Sequence, residues 1–471
     1  MSTTLIDAIE DPNLFGHSFQ GDTWDTWKAV LSAAFALPMT DAQVERFKRL
    51  AGGREPPSKR VRELVIVGGR RPGKTKIAAA VGDYIATIGA TLDGTRDRLS
   101  PGERGIVSLQ AVDRRQARVA SDYGLAMLEE SPILKPMIVK ASSESIDLDN
   151  GCRIEVNANS FRSIRGRTLL AAIFDEAAFW RSDTSANPDR EVYRAAVPAL
   201  ATTGGMLIII SSPYAKRGLL WEKYRKHFGK DGDDVLVIQG TTRDFNPTIP
   251  QSVVDQAVED DPEGAKSEWL GQFRDDIEAF IQRESVEACI RPSPLSLAYD
   301  RSLVYSAFVD PAGGGNDEFC LSISHVEGNK TIVDLICARK GKPAAIVSEF
   351  AQIIRSYGLR TIHGDRYAGS WPRDEFQNYG IRYLTSSKSK SELYIDLLPL
   401  IHSEQIELPP DNKAITQLIG LERRTSRAGK DSIDHAPGMH DDRANVIAGA
   451  AHVATTGRKC ISTTTAAIGA Y

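Results

Sequence analysis

Residues 64–67, Leu-Val-Ile-Val, form an apolar run of the kind that becomes a buried parallel strand, and the alanine-rich residues 76–81 read as a helix. Between them stands Gly68-Gly69-Arg70-Arg71-Pro72-Gly73-Lys74-Thr75. Strand, glycine loop and helix in that order constrain the fold more than any other stretch, because the loop must open at the carboxyl edge of a sheet. Glycines let backbone N–H groups turn inward toward phosphates, and the helix N-terminus adds its positive end. Lys74 has the reach for β- and γ-phosphates, and the Thr75 hydroxyl can ligate magnesium. Taken bare, the pattern also describes a glycine turn capped by threonine; the flanking strand and helix favour nucleotide binding.

Downstream, strand-like and helix-like segments alternate: 105–109, 114–130, 153–156 and 169–174. Such alternation predicts a mostly parallel sheet with helices on both faces. The run 169–174 ends in Asp175-Glu176, which puts two carboxylates at the edge where the phosphate loop opens. Asp175 can share a magnesium with Thr75, and Glu176 can orient or deprotonate the attacking water. An acidic turn leaving a strand is the plainer alternative; its pairing with the phosphate loop favours catalysis. Arg165, in the basic stretch 162–167, is the candidate for stabilising the charge on the transferring phosphoryl group. A contact to a DNA phosphate or a surface salt bridge would equally explain it. Ser211-Ser212, ending the apolar strand 206–210, can sense the γ-phosphate, or can simply end the strand ahead of Pro213.

From residue 276 the signals change. Residues 276–300, with Pro292 and Pro294, read as a linker. Beyond it, 303–310 is a strand ending in Asp310-Pro311-Ala312-Gly313-Gly314-Gly315, segments 320–326 and 331–336 suggest a meander, and 360–365 ends in Asp365. His440-Asp441-Asp442 opens a small-residue helix over 443–453. Each acid alone fits a cap or a strand end. Three acids on separate elements of one unit suggest oxygen ligands for magnesium or manganese. Two such ions about 4 Å apart can cleave a phosphodiester. Asp441 is the first choice for the third ligand and Asp442 its alternative. The resulting domain plan is a helical lead-in (1–60), a phosphate-loop unit (61–275), the linker (276–300), a nuclease-like unit (301–456) and a flexible tail (457–471).

A net charge of -4 and a sequence pI near 6.1 leave no global excess of positive charge, so a nucleic-acid partner must be held by local patches or metals. Lys388, Lys390, Arg423, Arg424, Arg427 and Lys430 are the local candidates. Five scattered cysteines without a C-x-x-C pair argue against a disulfide framework and suit a reducing cytosol. Residues 1–12 resemble no signal peptide, and the longest apolar runs are too short to span a bilayer, so no membrane association is expected.

Over residues 15–455 the motifs and their order resemble the large terminase subunit of tailed bacteriophages, through 68–75, Arg165-Gly166-Arg167, Asp175-Glu176 and Ser211-Ser212-Pro213, then Asp310–Gly315, Gly364-Asp365 and His440-Asp441-Asp442. The resemblance implies an N-terminal phosphate-loop ATPase of the ASCE type, with a mainly parallel sheet, and a C-terminal ribonuclease-H-like mixed α/β nuclease. It implies ATP-magnesium at Lys74 and Thr75, metal on Asp175, and Glu176 as the catalytic carboxylate. Ser211-Ser212 would be the coupling segment and Arg165 a residue acting in trans within a ring of subunits. Asp310, Asp365 and Asp441, with Asp442 as supplement, would hold the nuclease metals. The implied partners are double-stranded viral DNA, a portal on a procapsid, a small terminase subunit and further copies of the chain, which would be monomeric in solution. The implied setting is the host cytoplasm, with transient docking at the portal and absence from the mature virion. A cellular ATP-dependent DNA translocase or helicase with a resolvase-like nuclease, or a scaffold whose motifs are structural relics, would carry some of the same residues.

Overall fold

The computed structural model describes residues 3–92, 94, 96–158, 161–180, 188–232, 234–311, 317–365, 371–425, 431–436 and 439–468. The chain falls into two compact units that meet in sequence at Asp275 and Asp276. No helix among the described residues is long and apolar enough to cross a membrane.

The first unit is built on eight strands: β1 (Glu63–Gly68), β2 (Gly105–Ala111), β3 (Ile138–Ala141), β4 (Ser145–Leu148), β5 (Cys152–Ala158), β6 (Thr168–Asp175), β7 (Met206–Ser211) and β8 (Val235–Gly240). Their order is β3-β4-β5-β2-β6-β7-β1-β8. From β5 to β8 all neighbours run parallel, and β3 and β4 add an antiparallel hairpin at the β5 edge. The central parallel strands β6, β7 and β1 are almost continuously apolar because both faces are covered. In β1, Leu64 and Ile66 enter one core while Val65 and Val67 enter the other. Helices Lys74–Tyr84 and Arg114–Glu130 cover the first face, and Pro188–Ala201 and Gly218–His227 the second. Residues 1–60 supply helices Leu5–Glu10, Asp25–Ala34 and Asp41–Leu50, whose Leu5, Trp27 and Phe47 belong to the first core. Because β7 lies between β1 and β6, with Val67 level with Ser211 and Asp175 level with Ile210, three strand ends meet at one edge.

The second unit opens at once with β9 (Ile277–Ala279), which pairs with β16 (Leu421–Thr425). β16 also pairs with β17 (Asp431–His435), closing a three-stranded antiparallel sheet. Residues 276–300 are therefore not a linker. Helix Arg283–Ala288 follows β9, and the buried guanidinium of Arg291 donates to the carbonyls of Pro294 and Val333, each at 2.7 Å. The prolines that suggested a spacer lie in an exposed bend that Arg291 ties down.

The main sheet of this unit orders β14-β13-β10-β11-β12-β15. β10 (Tyr305–Asp310), β11 (Phe319–Glu327) and β12 (Lys330–Arg339) form the expected antiparallel meander. β13 (Thr361–Gly364) and β14 (Arg382–Thr385) extend it in parallel on one side, and β15 (Ile406–Glu407) lies parallel to β12 on the other. This mixed order, with parallel strands beside an antiparallel meander, is the ribonuclease-H-like arrangement. Along β10, Ala307 and Val309 enter one core with helix Pro343–Ser356, while Phe308 enters the other with helix Asp442–Ile468. A Cβ on Gly449 would overlap the Phe308 ring, so a glycine lets that helix lie directly on β10. The helix continues to Ile468, through residues that composition reads as a flexible tail. Its packed first turns supply the nucleus, and adding further residues costs less than starting a helix.

Candidate functional site

In the first unit, Gly68 and Gly69 leave β1 and Gly73 reaches φ 87°, a left-handed conformation that suits glycine. Arg71 is also left-handed, at φ 58°. The loop is held from outside. Trp27 Nε1 donates to Pro72 O at 2.7 Å, Thr242 Oγ1 to Arg70 O at 2.8 Å, and Asn246 Nδ2 to Arg71 O at 3.0 Å. Arg70 makes an ion pair with Glu268 at 3.0 Å, and the Trp24 ring lies against the Gly73 Cα.

Lys74 is buried, and its Nζ donates to Gly68 O (3.1 Å), Gly69 O (2.8 Å) and Ser212 Oγ (3.0 Å). The Glu176 carboxylate stands 3.4 Å from the same ammonium. Thr75 Oγ1 donates to Asp175 Oδ2 at 2.9 Å. Burial, reinforced by the neighbouring Glu176, pushes the Asp175 carboxyl up to about 7. Asp175 Oδ1 is buried without a hydrogen-bond partner. An orphaned carboxylate oxygen beside a threonine hydroxyl at the mouth of a phosphate loop is the donor set a magnesium ion requires, so the residues fit that ion. Glu176 adopts φ 50° and ψ 43°, a costly backbone state for a residue with a Cβ. The turn swings its carboxylate to the end of β7, where Ser212 N donates to Oε2 at 2.9 Å and Ser211 Oγ lies at 3.3 Å. Lys74, Thr75, Asp175, Glu176, Ser211 and Ser212 therefore share one cluster. Arg165 is exposed on the turn before β6. That turn is tied to β2 by Gln110 Nε2, which donates to Ser163 Oγ at 3.3 Å. The side chain of Arg162 lies outside the described residues.

In the second unit, Asp310 ends β10, and Asp365 follows β13, its N–H donating to Val309 O at 3.3 Å. Asn445 Nδ2 donates to Asp310 Oδ2 at 2.7 Å and to Asp365 Oδ2 at 3.2 Å, so the two carboxylates converge on a single amide. A Cβ on Gly364 would collide with Tyr383, whose hydroxyl donates to Asp365 O at 3.0 Å. Both acids open into a cleft of about 1310 Å³ that also exposes Asp442 and Glu318. Burial pushes Asp310 up to about 7, with Asp365 and Asp442 adding like charge. Burial likewise raises Asp442. Carboxylates gathered under mutual repulsion, with a buried and unpartnered Asn445 Oδ1 beside them, fit hard divalent cations.

The two adjacent acids stand in different surroundings, and Asp441 also lies with Asp434 and His435 in a group whose ligand atoms are within 4.8 Å of one another. Asp441, the first choice from sequence, is 1% exposed and bonded on both oxygens, by Lys390 Nζ at 2.6 Å and Tyr394 Oη at 2.7 Å. Asp442, the first residue of the final helix, lines the cleft instead. Asn445, one helical turn beyond Asp442, is a member that sequence reading missed, although that spacing was visible. Thr242 and Asn246, which brace the phosphate loop, were also missed. The basic candidates are paired: Lys388 with Asp396, Arg423 with Asp431 and Arg424 with Glu422. Gly313–Gly315, Arg427 and Lys430 lie outside the described residues.

No family model and no curated protein matches the sequence. Among solved structures, the chain is similar to the large terminase of bacteriophage HK97, with 15% identity over 92% of this chain and 99% of that one, at a TM-score of 0.37. It is similar to the large terminase of a thermophilic bacteriophage, with 12% identity over 91% and 98% and a TM-score of 0.40. The large terminase nuclease of thermophilic phage G20c matches 35% of this chain and 94% of its own, with 19% identity and a TM-score of 0.31.

Proposed function

We propose that the chain is the ATPase and nuclease of a phage DNA-packaging motor, a terminase large subunit. One observation carries the reading: a single polypeptide holds two separate phosphate-chemistry sites, a phosphate loop closed by Lys74, Thr75, Asp175 and Glu176, and an acid cleft formed by Asp310, Asp365 and Asp442.

In the first site the γ-phosphate of ATP would draw Lys74 from the strand-end carbonyls that now hold it, and Thr75 and Asp175 would hold magnesium. The bound magnesium supplies charge neutralisation at the β- and γ-phosphates. Glu176, pinned by Ser212 N–H, orients the attacking water and takes its proton. Ser211 and Ser212 touch both Lys74 and Glu176, so movement of either on hydrolysis reaches β7 directly. Arg165 would serve a neighbouring subunit in a ring.

In the second site Asp310, Asp365 and Asp442 would hold two magnesium or manganese ions, with Asn445 fixing the spacing of the first two. Bound there, such ions would supply activation of a water and stabilisation of the leaving oxygen of a DNA phosphodiester. Double-stranded viral DNA would be moved into the procapsid by the first site and cut at initiation and termination by the second. Portal, small subunit and host cytoplasm belong to the same reading. The test is packaging: with procapsids, portal and small subunit, purified chain and ATP should protect added DNA from DNase. Strand separation without protection would instead favour a cellular helicase or translocase.

A further inference from the structure

The cleft that exposes Asp310, Asp365 and Asp442 also exposes Lys388 and Lys390. Lys388 is occupied by Asp396. Lys390 is different. Its Nζ is 2.6 Å from Asp441 Oδ1, and Tyr394 holds the other oxygen of that buried carboxylate. An enclosed anion of this kind keeps the ammonium charged and fixes a side chain that would otherwise sample many rotamers. Lys390 is also the first residue of helix Lys390–His402, where a cation opposes the helix dipole. A lysine placed against local helix preference, held by a dedicated buried acid and open to the cleft, has the features of a ligand contact.

We propose that Lys390, aimed by Asp441 acting as a positioning residue, contacts a non-bridging oxygen of the DNA phosphate being cut; the assignment rests on the nuclease reading above. The ammonium supplies fixed positive charge where charge develops on the phosphate, beside that of the cations. Asp441 thereby gains a role distinct from that of Asp442: it orients the lysine.

The test is cleavage of supercoiled plasmid by the full chain in magnesium. Lys390→Met should lower the cleavage rate about 100-fold, leaving the magnesium concentration for half-maximal rate unchanged. Lys390→Arg should recover part of the loss. The deciding variant is Lys390→Met with Asp441→Asn, which removes the pair and leaves no buried uncompensated charge, so it remains informative if the single variant misfolds. A phosphate contact leaves this double variant as slow as Lys390→Met; recovery of the wild-type rate would reduce Lys390 to a neutraliser of Asp441 and overturn the proposal. So would a Lys390→Met rate within about threefold of wild type, since a direct contact is worth far more. Tyr394→Phe should lower the melting temperature with little change in rate. A wild-type chain that cuts no DNA would remove the nuclease reading and this assignment together.

Discussion

The two sites handle the same problem, carboxylates out of water, in opposite ways. In the phosphate-loop unit the chain supplies its own cation: Lys74 sits 3.4 Å from Glu176, and Thr75 donates to Asp175. In the acid cleft, Asp310 and Asp365 share a neutral amide, and Asp442 adds a third carboxylate. The first site is already joined by hydrogen bonds and an ion pair, with a strained Glu176 backbone holding that carboxylate against the end of β7. The second has Lys388 and Lys390 in its lining, but both ammoniums are tied to other acids, Asp396 and Asp441, rather than to the converging carboxylates. ATP turnover should therefore follow metal through the nucleotide that carries it, whereas cleavage should follow the free divalent cation directly.

The largest effect that would sharpen this contrast is at Glu176. Glu176→Gln keeps an acceptor for Ser212 N–H but cannot take a proton, so ATP turnover should fall about 10³-fold while binding of a fluorescent ATP analogue persists. Loss of binding as well would mean that Glu176 builds the loop rather than serving the water. Next is Asp442→Asn, for which we expect magnesium-dependent plasmid cleavage to fall by at least about 100-fold with ATP turnover unchanged. Full cleavage by this variant would return the third ligand to Asp441.

A smaller effect concerns how the cleft is held. Gly449→Ala must push the final helix off Phe308, costing about 1–3 kcal/mol; calorimetry should show a lowered melting transition, and cleavage should fall because Asp442 and Asn445 ride on that helix. An unchanged melt would show that the helix does not depend on this close approach.

The smallest effect lies behind the phosphate loop, on helix Lys74–Tyr84. Asp83 is fully buried, its Oδ2 has no partner, and burial pushes its carboxyl well above the usual range. The unfolded chain therefore gives up this proton first. The contribution of the protonated acid is whole below the ordinary carboxylate pKa and is lost as pH rises toward the folded value. Asp83→Asn should flatten that dependence, giving a chain about 1–3 kcal/mol more stable than wild type at pH 8 and closer to it at pH 4. Parallel melting curves for the two chains across that range would contradict it.

Much of this contrast was legible in the residues. β1 and the helix after it could be read because a β-branched run, a glycine loop and alanines each state a local preference that tertiary packing does not oppose. Asp175, Asp310 and Asp365 were legible as strand-end acids. The β3–β4 hairpin was not, since strands of four residues carry too short a period to detect. Nor could residues 276–300 be assigned, because β9 is three residues long and finds its partner β16 more than a hundred residues away. The choice between Asp441 and Asp442 depends on the rotation of one helix. That rotation is set by Gly449 against Phe308 and by Lys390 and Tyr394 on Asp441, contacts between segments distant in sequence.

The most direct test of two separate engines measures ATP turnover and plasmid cleavage side by side on two folded variants, Lys74→Ala and Asp310→Ala. The account predicts that Lys74→Ala stops ATP turnover and still cuts, and that Asp310→Ala hydrolyses ATP and no longer cuts. Loss of both activities in either folded variant would contradict it.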